Sequence, residues 1–225
     1  MLKTKVRFKT LGDILDHLGG IPAYRVRANP WPGTATEKDV TRILDRENVP
    51  CELIDWIIVE KASGWLEAFL KPQLGFLVYS YIKRDDLGLM VGSTCPFRIK
   101  PKLLLSPDIS FVSWAKLPDR MIPDVEIAEF VPDLAIEVVS KGNTRREMNR
   151  KLDEYFQAGV QLVWFVFPKK RTVRVYTSPD SSTLFAEGES LDGGDVLPGL
   201  KLPLVDIFAR MPPPAKPKTK RRKPK

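Results

Sequence analysis

The sequence predicts a mixed α/β (α+β) fold, a central β-sheet flanked by helices, and three observations carry that reading. Strand-like apolar runs dominate from Cys51 onward, while helical spacing is confined to a few segments. The apolar run Leu134–Val139 is followed by a helical stretch and then by a second apolar run, Gln161–Phe167, in the order strand, helix, strand. With 225 residues and 43% apolar content, the chain suffices for one domain with a sizeable core but not for two full ones.

Each element has a local reason. Thr10 and Asp13 are spaced to cap a short helix through Leu18, closed by Gly19 and Gly20. The Pro- and Arg-rich segment 21–33 is an extended connection, and Val40, Ile43 and Leu44 share one face of a second helix over 36–46. Cys51–Asp55 and Trp56–Glu60 form a hairpin. Leu66, Phe69, Leu70 and Leu74 give 64–83 helical spacing, which Pro72 is expected to kink or break. Segments 87–99 and 109–114 are strands. A helix over 144–158 ends at Gly159, and 161–167 is a strand buried on both faces. Lys169–Arg171 makes a turn into a returning strand over 172–176. Asp192-Gly193-Gly194-Asp195 lacks the Lys-Ser/Thr of a phosphate loop and is a hairpin turn. There is no internal repeat, and Trp31, Trp65, Trp114 and Trp164 are taken as packing residues.

The formal charge of +8 belongs to the tail: residues 216–225 hold seven Lys and Arg and no acid, so the body is nearly neutral. Segment 211–225 is rich in Pro and Lys and too poor in apolar side chains to offset its ordering entropy, so disorder is expected there. Such a tail can attract nucleic acid through its phosphates, or serve only as a solubilising end. Two cysteines, Cys51 and Cys95, make no disulfide framework. The start of the chain has no secretion-type apolar run, and the apolar stretch 162–167 is far below the ~20 residues needed to cross a membrane. A cytoplasmic protein with no membrane partner is expected. A single histidine, His17, excludes a histidine triad, a zinc cluster or an HNH-type nuclease site.

The informative residues are carboxylates. Glu137 lies in the middle of an apolar strand, where burial without a partner is costly, so a cation, a donor or a solvated cleft must adjoin it. Strand alternation puts Asp133 and Glu137 on one face. Asp108 follows Pro107 at the very start of another strand, and neighbouring strands would bring Asp108 and Glu137 together. Two such carboxylates suit Mg²⁺ or Mn²⁺ and phosphodiester hydrolysis. On spacing alone the bland alternative stays open and is the more common outcome: Asp108 caps a turn, and Glu137 pairs with a nearby Lys or Arg.

The ordered set Pro107-Asp108, Pro132-Asp133-Leu-Ala-Ile-Glu137-Val-Val-Ser140, then Lys151, Tyr155, Gly159 and Trp164 resembles the Uma2 family. Gly19-Gly-Ile-Pro22, Gly33-Thr-Ala-Thr-Glu37, Cys51-Glu-Leu-Ile-Asp55, Val59-Glu-Lys61 and Asp195-Val-Leu-Pro-Gly199 are similar to that family too. The likeness covers nearly the whole chain except the tail. It implies a restriction-endonuclease-like core of the PD-(D/E)XK type and a metal-dependent endonuclease acting on DNA. Residues 1–50 would be an N-terminal helical extension, 51–210 the nuclease-like domain and 211–225 the basic tail.

Carried over residue by residue, the resemblance makes Asp108 and Glu137 the metal ligands, helped by the backbone carbonyl of Val138. The usual lysine slot, two residues after Glu137, holds Val139, a departure from the pattern. Lys151 on the next helix matches the substitute, with Lys141 the second choice. Glu67 resembles the extra acidic residue of the first core helix, Glu52 matches a structural Glu-Leu-Ile-Asp element, and Asp133 either binds metal or caps its strand. Trp56 stands where the family usually has Gly. The resemblance also implies a possible homodimer. A catalytically silent scaffold that binds nucleic acid or a protein partner is the alternative that Val139 favours.

Overall fold

The structure, a computed structural model, describes residues 8–213. Helices α1 (Leu11–His17) and α2 (Glu37–Glu47) each start at a capping box, Thr10 with Asp13 and Thr36 with Asp39. Strands β1 (Cys51–Ile54) and β2 (Ile57–Glu60) form the expected hairpin. Helix α3 (Trp65–Arg84) follows, then β3 (Gly88–Gly92), β4 (Phe97–Lys100), β5 (Leu103–Leu105), β6 (Ile109–Ser113) and β7 (Leu134–Val138). Helix α4 (Arg145–Gln157), boxed by Thr144 and Glu147, leads to β8 (Leu162–Phe167), β9 (Thr172–Ser178) and β10 (Ser181–Ala186). The short β11 (Ser190–Asp192), β12 (Lys201–Pro203) and α5 (Leu204–Ile207) close the described fold.

The main sheet has the order β10-β9-β8-β7-β6-β3. It is mixed: β7 and β8 are parallel, joined across α4, and the other pairs are antiparallel. A smaller sheet, β2-β1-β5-β4, stands beside it. Strand alternation divides the core into two layers. Leu134, Ile136 and Val138 face α3, whose Leu70, Leu74, Val78 and Ile82 repeat at every fourth position. Ala135, Val163 and Phe165 face the other way, toward Met148, Leu152 and Tyr155 of α4 and Ile54, Ile57 and Val59 of the small sheet. Glu137 shares the parity of Ala135 and therefore looks into this second layer. Helix α1 joins the second layer through Ile14 and Leu18, whereas Val40 and Ile43 of α2 pack with Cys51, Leu53, Ile58 and Leu104 in a third cluster on the small sheet.

Three expectations need correction. Of the kink or break expected at Pro72, the break does not occur: α3 runs as one helix with Pro72 inside, its Leu70 and Leu74 buried in the core. Segment 87–99 is two strands in two sheets, because Gly92 through Pro96 turns the chain from β3, paired with β6, to β4, paired with β5. Trp164 is buried as expected, but Trp31 and Trp65 are exposed rather than packed. Of the tail expected to be disordered, residues 214–225 lie outside the described residues.

Candidate active site

The register of β6 and β7 pairs Ile109 with Ile136, which sets Asp108 against Glu137 one step further along. Asp108 Oδ2 accepts the Val138 N–H at 2.8 Å, so the aspartate is tied to the neighbouring strand at the point where Glu137 turns inward. Both residues are buried, at 5% and 4% exposure.

Their other oxygens converge on one cation, the ammonium of Lys61, just past β2. Its Nζ lies 2.8 Å from Asp108 Oδ1 and 3.2 Å from Glu137 Oε2, and it also donates to the Ser106 carbonyl. Lys71 on α3 adds a second ammonium 3.0 Å from Asp108 Oδ1. Behind Glu137, its Oε1 accepts from the Tyr155 hydroxyl at 2.7 Å and from Lys151 at 3.1 Å. Lys151 is held in turn by Glu52, 2.7 Å away, whose same oxygen accepts the Ser106 N–H at 3.3 Å. Glu52 reaches this layer because β1 alternation turns it with Ile54 toward the main sheet. Lys151 and Tyr155, four apart, share one face of α4.

Three carboxylates thus meet three lysines, all six side chains at most 18% exposed. Burial opposes the charge on Lys61, but Asp108, Glu137 and Glu52 outweigh it and raise its pKa. The same balance holds for Lys151, where Glu137 and Glu52 prevail over burial and over Lys61. Burial would raise Asp108, yet Lys61, Lys71 and the Val138 N–H leave it below the usual aspartate value. Burial first, then Glu137, pushes Tyr155 well above an ordinary phenol. All four groups therefore hold the protonation state that the hydrogen bonds require at neutral pH.

The other sequence candidates sit as follows. Glu67 is buried and caps its own helix, accepting the Gly64 N–H at 2.9 Å. Asp133 binds Lys116 at 2.9 Å, the Ser113 N–H at 2.7 Å and Gln161 at 3.1 Å, at the far end of β7 from Glu137. Lys141 is exposed, and Val139 packs against the second core layer. Lys61 and Lys71 received no role from the sequence. Lys61 lay within the Val59-Glu-Lys61 likeness, but its contacts come from folding the hairpin against Ser106 and Asp108.

A cavity of about 370 Å³ opens beside this cluster, lined by Lys61, Glu67, Tyr24, Trp65, Lys141 and Lys169 among others. Lys61 is the side chain that belongs to both cavity and cluster, and it stands between solvent and the two buried carboxylates. The donor set around its ammonium, two carboxylate oxygens and one carbonyl, is the hard-oxygen set that a small divalent cation takes. Among the described residues no three His, Cys, Asp or Glu form a ready cage. Such an ion would fit there in place of the Lys61 ammonium, on which the three oxygens already converge.

A mixed sheet with an acidic pair at the carboxyl end of its central parallel strands, one helix on each face, defines the restriction-endonuclease-like class of fold. The chain belongs to the Uma2 family, whose model, described as "Putative restriction endonuclease", matches residues 38–205. The fold is similar to that of a "putative nuclease belonging to DUF820" from Anabaena variabilis ATCC 29413, with TM-score 0.61 and 21% identity over 70% of this chain and 89% of that one. No curated protein matches the chain.

Proposed function

We propose that this chain is a Mg²⁺- or Mn²⁺-dependent nuclease that hydrolyses phosphodiester bonds, with DNA as its substrate. One observation carries the reading: Asp108 and Glu137, from neighbouring antiparallel strands, present an oxygen each to a single shared cation. Asp108 and Glu137 would hold the metal where the Lys61 ammonium now sits, beside the Ser106 carbonyl, with the Val138 carbonyl that the family resemblance implies as a further ligand. When bound, such an ion acidifies a water and neutralises charge on the phosphate. The protein's own part is positional. Tyr155 and Lys151 fix Glu137 from behind, Glu52 fixes Lys151, and Lys61 offers the cavity an ammonium for a phosphate oxygen. Lys151, buried at 2% exposure, acts in this proposal by orienting Glu137, and Glu67 holds the first turn of α3 at the cavity wall. Pairing of two copies stays part of the proposal, and sedimentation of the purified chain tests it.

Glu137→Ala in purified protein is the decisive variant. Metal-dependent cleavage should fall by at least ~100-fold; cleavage at the parental rate would reject the assignment. The second reading is a silent scaffold, favoured by the pairing of Glu52, Asp108 and Glu137 each with at least one lysine. Calorimetric titration with Mn²⁺ separates the two, because a scaffold would show no site that disappears in Asp108→Ala.

A further inference from the structure

We infer that the cavity beside the carboxylate cluster is a binding site for an unpaired nucleotide, so that single-stranded or locally opened nucleic acid is the preferred substrate. This rests on the nuclease reading above for the chemistry at the cavity's inner end, but its evidence lies at the mouth. Two aromatic rings stand there on unrelated elements. Trp65 is 90% exposed and Tyr24 71% exposed, and both line the same cavity as Lys61. Large apolar rings left exposed at the mouth of one cleft offer faces on which, among the described residues, no other ring stacks.

Both rings sit beside anchored backbone. Trp65 is the first residue of α3, whose N-terminal turn Glu67 caps through the Gly64 N–H. Tyr24 precedes Arg25, which is buried and anchored to the Gly142 carbonyl at 3.0 Å and to Glu147 at 2.9 Å. A side chain at position 142 would collide with Ala62 at 2.7 Å and crowd the Tyr24 hydroxyl at 3.1 Å, so glycine there lets the tyrosine wall close in.

The charge around the rings suits a phosphate chain. Lys141 follows β7 and Lys169 follows β8, so both cations stand beyond the carboxyl ends of the parallel pair, where open α/β sheets take their ligands. Both line the cavity, and neither makes an ion pair among the described residues. Stacking faces with a basic track are how proteins hold single strands, whereas an intact duplex hides its base faces and offers edges and backbone.

The test is binding, read without divalent metal by fluorescence anisotropy of a labelled oligothymidylate and of a blunt duplex of equal length. The single strand should bind more tightly than the duplex. Trp65→Ala and Tyr24→Ala should each weaken single-strand binding by roughly 5-fold to 100-fold, the range of one lost base stack, with little change for the duplex, and Trp65→Phe should retain most of the affinity. Both rings are exposed, so the variants should melt like the parent. A duplex preference, no single-strand binding, or unchanged affinity in both alanine variants overturns the inference. So does a Trp65→Ala protein that turns from dimer to monomer in sedimentation while its single-strand affinity stays the same, since the ring would then be an interface residue. Cleavage of duplex with no single-strand affinity would leave the nuclease reading standing and remove only this one.

Discussion

Lys61 and Asp108 form a buried ion pair at 2.8 Å, with the lysine side chain 7% and the aspartate side chain 2% exposed. The ammonium stands on the oxygen that a metal would use, so the pair and the ion compete for one position. Removing the lysine leaves Asp108 and Glu137 facing each other, with Lys71 and Lys151 as their remaining ammonium partners among the described residues. Lys61→Met should therefore lose about 3 kcal/mol of stability without metal, the usual cost of stripping one partner from a buried pair. It should also bind Mn²⁺ at least ~10-fold more tightly in calorimetry, a fraction of the Coulomb energy of a unit charge at this range. Weaker Mn²⁺ binding in the variant would show that the lysine helps to build the cation site.

Tyr155 tests the positioning role assigned to the rear of the cluster. Its hydroxyl donates 2.7 Å to Glu137 Oε1 and is wholly buried. Tyr155→Phe keeps the ring in the core and removes one charge-assisted hydrogen bond, which should cost about 2 kcal/mol in denaturant melts. Cleavage should fall through kcat more than through KM, because the phenol meets Glu137 and lies away from the cavity. A large rise in KM with kcat unchanged would instead place Tyr155 against the substrate.

The acidic half of the site was legible and the basic half was not, for a physical reason. Asp108 and Glu137 betray themselves because a carboxylate at the edge or centre of an apolar strand is an anomaly against a simple alternating background. Lys61 and Lys71 carry no such mark: one follows a hairpin and the other adjoins Pro72, both ordinary settings for a solvated lysine. What buries them is the meeting of segments far apart in the chain, the β2 end with Ser106 and α3 with Asp108. The split of 87–99 was hidden likewise, because strands in two sheets share one apolar pattern and only Gly92 and Pro96 mark the corner. Trp65 misled in the opposite direction, since helical spacing places it near apolar neighbours while the turn at Gly64 directs it outward.

Gly88 makes a test of the frame that carries Asp108. A β-carbon there would lie 2.1 Å from the Val112 carbonyl and 2.8 Å from the Ser113 α-carbon, both backbone atoms that cannot step aside cheaply. Gly88→Ala must push β3 off β6, the strand that Asp108 begins. It should destabilise the protein by about 1–3 kcal/mol, as overpacking does, measured as a lower denaturant midpoint. A midpoint equal to that of the parent would mean that β3 is free to shift without loss.

The pH dependence of stability should report the second buried pair. Arg25 meets Glu147 at 2.8 Å, with both side chains at most 2% exposed. Burial works to raise the carboxyl, but Arg25 and Lys151 outweigh it, and Glu147 lies below its ordinary value of 4.5. The unfolded chain therefore binds the proton first as pH falls. The contribution of this group is fully present above about pH 4.5 and is lost as pH drops through the lower folded value. Glu147→Gln retains the cap on α4 but removes the titrating charge and leaves Arg25 unmatched. At neutral pH it should cost about 3 kcal/mol, and the gap between variant and parent should narrow as thermal melts are taken below pH 4.5. A gap that stays constant across that range would mean that Arg25 and Glu147 contribute through shape alone.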